Sequence, residues 1–401
     1  MKKFLCVLIL STFISSSISV GTLFGYQLDV FRITIILFSI FHFLLGRRAS
    51  KVSKGNVRSG IILTFLLGLT GLFAPSLVQW SIGLVNTAFV VMCVYYIVIY
   101  TDSKADLQMY MKWYCIGCVA TCVISIYEYH TGIHIASNYV DIYSASSWEY
   151  SYLTQAPTAF LFNPNNIAAL ILLCLPFGTY FLNKKVANNI FAKIIWYALA
   201  IYTLFTTGSR SGIIGGLIIC IGTLLFDFTI TLKAKIQTIV VVIGFSAIFV
   251  CSNLDYFTRQ LEYSGLIRNG ALSLFGVGDQ SRIELIANGL KALISTYFIG
   301  CGPFGIMNYA IPGVAHIGYI HMFWVELAAC YGIIAFIWFC KYYFVTLSKL
   351  AHYTKKDVLA KDIMFSVIIF SFASIIVPTI FTLYFFWFIL GFARAYIKIS
   401  Q

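Results

Sequence analysis

The chain has 401 residues, of which 60% are hydrophobic, 17% aromatic and only 10% charged, with a formal net charge of +13. A water-soluble globular protein has roughly 25% charged residues, so this composition excludes one. Nor does the excess of positive charge indicate a nucleic-acid partner: 21 of the 27 basic residues sit in short clusters between or beyond apolar runs, the positive-inside pattern of a membrane protein.

With those clusters as inside markers, the apolar runs predict twelve membrane helices. They lie at 4–21, 30–46, 60–75, 78–100, 112–128, 159–182, 194–208, 211–227, 236–252, 319–340, 363–378 and 381–397. The expected architecture is an all-α polytopic membrane protein, one membrane domain over 1–401 with both termini cytoplasmic. The first run follows "MKK" and also fits a signal peptide; a retained helix is preferred because no small-x-small cleavage site follows it. Outer connections are tight except 129–158 and 253–318. The second is read as an extracytoplasmic cap, and "SRIELIANGLKAL" (281–293) within it as an amphipathic helix. Long loops in compact proteins tend to be functional. The cysteines lie mostly inside apolar runs, and the C-x-x-C of Cys115 and Cys118 reads as packing.

By subtraction, few basic residues face outward: Arg210, Arg259, Arg268, Arg282 and Lys291, with Arg32 just inside the outer end of the second span. Four loop acids, Asp255, Glu262, Asp279 and Glu284, nearly balance those of the long loop. Arg210 differs, because "TTGSRSG" puts it at the amino end of the eighth span with no carboxylate near it in sequence. A cation at a helix amino terminus suits a phosphate, and guanidinium offers the planar fork. Capping a neighbouring helix's carbonyls is the structural alternative. His316 and His321 flank the outer mouth of the tenth span, with Glu326 inside it. Histidine there serves as a general base or, equally on composition, as an interfacial anchor.

Other motifs fail on context. "GCGPFG" (300–305) matches G-x-G-x-x-G but follows no strand and faces outward. Glu128, His130 and His134 lack the H-E-x-x-H order, and no D-x-D pair is present. Neither a metal nor a cofactor is expected.

Several stretches resemble the O-antigen ligase and Wzy-type polysaccharide polymerase superfamily. "FLFNPNNIAALILLCLPF" (160–177) is similar to its F-x-N-P-N-x-x-A run, and "TTGSRSG" to its T-x-S-R-[GS] signature. "SRIELIANGLKAL…IGCGPFGIM" is similar to its outer-loop helix and G-x-G-P turn. "HMFWVELAACYGIIAF" is similar to its H-N-x-x-[LV]-E run. Counting back eleven residues from Gly332 puts the family histidine at His321, and Met322 follows it where the family has Asn. His316 stays as a second candidate.

The resemblance implies an enzyme of the bacterial cytoplasmic membrane, transferring glycan from a polyprenyl-diphosphate donor to a glycan or lipid-linked acceptor hydroxyl. Arg210 and Arg282 are assigned to the diphosphate, Arg32 as a weaker third, and His321 as the base with Glu326 positioning it. Asn163 and Asn165 are expected to cap the sixth span and offer a sugar contact. Polymerisation of surface-polysaccharide repeat units is preferred to ligation of a finished chain, with chain-length or flippase proteins as partners. A lipid-glycan flippase is the alternative from another class, although nearly every charge sits at a span end and no repeat is visible; a non-catalytic scaffold is the third.

Overall fold

A computed structural model of the chain describes residues 1–14, 18–23, 26–45, 51–136, 156–185, 190–225, 267–268, 271–272, 277–309 and 320–401, with scattered positions in 236–258. The helices are α1 (Lys2–Ser11), α2 (Val30–Leu45), α3 (Lys51–Leu69), α4 (Leu77–Tyr100), α5 (Lys104–Thr131), α6 (Pro164–Lys185) and α7 (Ile190–Thr207). They continue as α8 (Arg210–Leu225), α9 (Val277–Ser295), α10 (Phe323–Tyr331), α11 (Ile333–Thr354), α12 (Val358–Ile376) and α13 (Phe385–Ser400). Two short antiparallel pairs join them: β1 (Ser19–Leu23) with β2 (Tyr26–Asp29), and β3 (Ile267–Arg268) with β4 (Ala271–Leu272).

Five of these helices, α4, α5, α6, α11 and α12, are long and apolar enough to cross a membrane, and four shorter apolar ones accompany them. This is a helical membrane protein. Six of the expected spans correspond closely to α2, α4, α6, α7, α8 and α13. The first does not: α1 ends after 10 residues, about 15 Å of rise where the hydrocarbon core is about 30 Å. Ser11 and Thr12 turn their hydroxyls back onto the Leu8 and Ile9 carbonyls at 2.8 and 2.7 Å. The chain then proceeds to the β1–β2 hairpin. The expected span at 236–252 lies only partly within the described residues.

Starts and ends follow local chemistry. Ser103 and Asp106 form a reciprocal capping box at the head of α5, and Gly132, at φ +67°, closes its far end. Asp357 caps α12 through Leu359 N–H. It also accepts from Lys104 and Tyr396, both at 2.6 Å. Lys2 binds Asp106 at 2.6 Å and Lys398 approaches Asp102 at 3.9 Å. Both termini therefore meet the α4–α5 turn at one end of the bundle. Helices α5 to α8, and again α11 to α13, alternate between this terminal end and the opposite one.

The core is built round α6. Ile167 through Leu175 are wholly buried, and α6 packs on α5, α7, α8 and α12. Glycines on α8 let it approach: a Cβ on Gly212 would lie 2.7 Å from Ala168 Cβ.

The tenth expected span, 319–340, is two helices. Gly332 stands between α10 and α11 at φ +88°, a conformation open to glycine alone. The break exposes backbone groups that lipid cannot satisfy. The connection after α9 supplies them: Cys301 N–H donates to Ala329 O at 2.9 Å and Gly302 N–H to Cys330 O at 3.0 Å. Ile333 N–H donates to Phe298 O, also at 3.0 Å. The glycine-rich "GCGP" turn thus plugs the break. Contact is so close that a Cβ on Gly332 would lie 2.2 Å from Ile299 O.

Gly332→Ala is expected to lower stability by about 3 kcal/mol or more, from a positive-φ penalty plus the backbone clash. Gly222→Ala, inside α8 with nothing within 4 Å of the added Cβ, should be neutral or stabilising by up to about 1 kcal/mol. Thermal unfolding of the two purified variants in detergent compares them directly.

Candidate active site

"TTGSRSG" is a helix hairpin. Gly208 adopts φ +65° and ends α7, and Ser209 caps α8 by accepting from Gly212 N–H at 3.3 Å. Arg210 is then the first residue of α8. It is partly exposed at the end of the bundle opposite the termini. Its position on the first turn, where N–H groups and the dipole favour an anion, is the expected one.

At the same end, α9 packs against α10. Arg282, on the first half of α9, lies close enough to His321 for the two side chains to interact electrostatically. His321 precedes α10 and is held by its backbone: φ is +56°, and its N–H donates to Pro378 O at 3.2 Å. Its Nδ1 is buried and finds no hydrogen-bond partner among the described residues. Leaving such an atom unpaired costs about 1–3 kcal/mol, a cost that a bound hydroxyl would remove.

The remaining expectations sort as follows. Glu326 faces Thr379 and not His321, and its Oε2 is buried with no hydrogen-bond partner among the described residues. It lines a cavity of about 20 Å³ with Asn86, Tyr331 and Thr379. Arg32 belongs to a closed network. Its guanidinium pairs with Asp29 at 3.3 Å, donates to the Gln27 carbonyl and to Tyr384, and lies 4.4 Å over the Tyr26 ring. Most of its donors are thus taken by protein, as a structural tie between the β1–β2 hairpin and α13.

Asn163 precedes α6 and accepts from Asn165 N–H at 2.9 Å, so it caps the helix as expected. Asn165 contributes that N–H and lies within the first turn. His316 lies outside the described residues.

Two features escaped the sequence reading. The first is Glu128, wholly buried at the end of α5. Its carboxylate accepts from Ile135 N–H at 3.0 Å, Thr158 N–H at 2.8 Å and Ala159 N–H at 2.7 Å. His134 Nδ1 also lies 3.5 Å from this carboxylate, so Glu128 ties the backbone after α5 to the backbone before α6. The second is strain. Non-glycine residues with positive φ are Ala159, Phe162, Tyr297, Phe298, Phe304 and His321 among those described. All six fall beside Asn163, in the "GCGP" connection or at His321. Such outliers gather where function needs an over-determined backbone.

Residues 195–340 match the family model described as O-Antigen ligase. Over 359 residues the chain is 24% identical to the teichuronic acid biosynthesis protein TuaE of Bacillus subtilis (strain 168), covering 84% of this chain and 70% of that protein. The resemblance to the O-antigen ligase and Wzy-type superfamily is thereby borne out. The matched stretch contains Arg210, Arg282, His316, His321 and Glu326, while Arg32, Asn163 and Asn165 precede it.

Met322 occupies the N-cap of α10 with extended backbone, φ −154° and ψ 98°, and gives no side-chain cap bond. The superfamily's asparagine is a strong N-cap residue. Met322→Asn is expected to stabilise the protein by about 0.5–1 kcal/mol and to leave turnover intact. A lower unfolding temperature would show that the Met322 side chain is needed for packing instead.

Proposed function

We propose that the chain is an extracytoplasmic glycosyltransferase of surface-polysaccharide synthesis, a polymerase of lipid-linked repeat units. The observation that carries this reading is the orphan Nδ1 of His321 beside Arg282, within the stretch that matches O-antigen ligase. The basic clusters put the terminal end of the bundle in the cytoplasm, so the opposite end faces outward. No nucleotide-sugar or ATP is supplied there, and the donor must carry its own activation as a polyprenyl diphosphate.

In the proposed reaction the acceptor hydroxyl gives its proton to His321 as its oxygen attacks the anomeric carbon. The bond from that carbon to the diphosphate oxygen breaks, and polyprenyl diphosphate leaves. Direct displacement inverts the anomeric centre. Arg210 and Arg282 stabilise the charge gathering on the diphosphate, taking the role a divalent metal plays in other transferases. Glu326, facing Thr379, lies in the first turn of α10, the helix that His321 precedes. Asn163 acts through the cap of α6. Arg32 is a weaker candidate for substrate contact, given its protein partners. The name of the Bacillus relative, a teichuronic acid biosynthesis protein, supports a polysaccharide product. Ligation of a finished chain to another acceptor would use the same residues.

The test is incubation of a purified lipid-linked repeat unit with the protein, followed by sizing of the products. A ladder supports polymerisation, and a single transfer to a foreign acceptor supports ligation. Arg210→Lys should reduce transfer by about 100-fold or more with normal expression, because a point charge does not replace the bidentate fork. His321→Ala should abolish transfer more completely than His316→Ala. The reverse order would move the base to His316, and loss of turnover on adding a chelator would overturn the metal-free mechanism.

A further inference from the structure

A half-open apolar cleft lies between α3, α4, α11 and α13. Its walls include Leu63, Val94, Trp338, Tyr342, Trp387 and Leu390, and it has a cavity volume of about 50 Å³. α3 packs along α4 and only lightly on α11, which leaves the cleft open. None of its lining residues carries a charge.

The two helices that supply the aromatic wall change character toward the terminal end. On α13, Trp387, Leu390 and Arg394 are spaced three and four apart and so share one face. On α11, Trp338, Lys341, Tyr342, Val345 and Lys349 share a face in the same way. Lys341 and Lys349 are exposed. The Arg394 guanidinium stacks on the Tyr342 ring at 5.1 Å. Its Nε is buried and has no hydrogen-bond partner among the described residues. Lys398, one turn further on, is instead tied to the Val98 and Thr101 carbonyls at 3.0 and 2.7 Å. A guanidinium near the end of a membrane helix with an unmet N–H is costly and marks a place where an anion is expected.

We infer that this cleft binds one anionic phospholipid of the cytoplasmic leaflet. An acyl chain lies along Leu63, Val94, Trp338 and Trp387, and the phosphate meets Arg394 with Lys341 beside it. Apolar above and cationic below, at the depth where headgroups begin, is the arrangement that holds acidic lipids between helices. The leaflet assignment rests on the orientation proposed above; the lipid chemistry does not. The site is separate from the proposed glycan chemistry, which lies at the other end of the bundle.

The experiment uses the full-length protein, delipidated in detergent and offered phosphatidylglycerol or phosphatidylcholine of the same acyl chains. Native mass spectrometry counts retained lipid, and thermal unfolding is followed with each. Wild type is expected to retain one phosphatidylglycerol in preference to phosphatidylcholine and to melt higher with it. Arg394→Gln should weaken that retention about tenfold, the loss of a charge-assisted contact. Lys341→Glu, on an exposed position that folding does not need, should weaken it as well and carries the test if Arg394→Gln does not fold. Equal retention of the two lipids by wild type would overturn the inference, as would undiminished phosphatidylglycerol binding in Lys341→Glu. Displacement of phosphatidylglycerol by an equal amount of polyprenyl phosphate would assign the cleft to the donor's tail instead. Because binding is read without glycan transfer, failure here leaves the proposed activity standing, and failure of that activity leaves this site standing.

Discussion

Every backbone N–H and C=O that passes through hydrocarbon has to find a partner within the protein, since lipid offers none. Between α10 and α11 the helix ladder stops at Gly332, and its loose ends are taken up by Phe298, Cys301 and Gly302. That exchange fixes the connection after α9 against the helix bundle. It therefore also fixes α9, which leads into that connection, and Arg282, which α9 carries. A continuous helix would have needed no partner and would have left that connection unanchored.

The same need for backbone satisfaction orders the rest of the opposite end. His321 is placed by a bond to Pro378 O, in the non-helical stretch 377–384 between α12 and α13. That stretch is mostly buried: Val377, Ile380 and Tyr384 expose 1% or less of their surface. Irregular backbone at this depth is tolerated where protein encloses it. Side chains then finish the work, with Thr379 meeting Glu326 and Tyr384 meeting Asn86 at 3.0 Å. The orientation of one imidazole thus depends on a buried loop, a helix start and a helix break, all more rigid than a surface loop would be.

Much of this was legible in the sequence where composition alone decides. The apolar runs gave α2, α4 and the α7–α8 hairpin to within a few residues, and "SRIELIANGLKAL" gave α9, because burial and periodicity are local. Arg210 at a helix amino end followed from "TTGSRSG", since glycine and serine there end one helix and cap the next. What failed was non-local. Hydropathy reads 319–340 as one span because it does not register a glycine at positive φ whose partners lie thirty residues away. It reads 4–21 as one span because Phe13, Ile14, Ile18 and Val20 carry apolar character past Ser11, where α1 has already ended. Arg32 looked like an outward-facing cation until Asp29, Tyr26 and Tyr384 were brought round it. "GCGPFG" follows no strand in the sequence, and its use as a plug is visible only in three dimensions. Glu128 was set aside with its neighbouring histidines, and nothing in the sequence says that its oxygens meet backbone thirty residues on.

Glu128 receives N–H groups from Ile135 on one side and from Thr158 and Ala159 on the other. The chain leaving α5 and the chain entering α6 are therefore knotted at a single carboxylate. Closing a stretch of chain between two fixed points costs a free energy that grows only with the logarithm of its length. With Ile135 and Thr158 both held to one carboxylate, the amount of sequence between them can change at small cost to the two helices that this clasp joins.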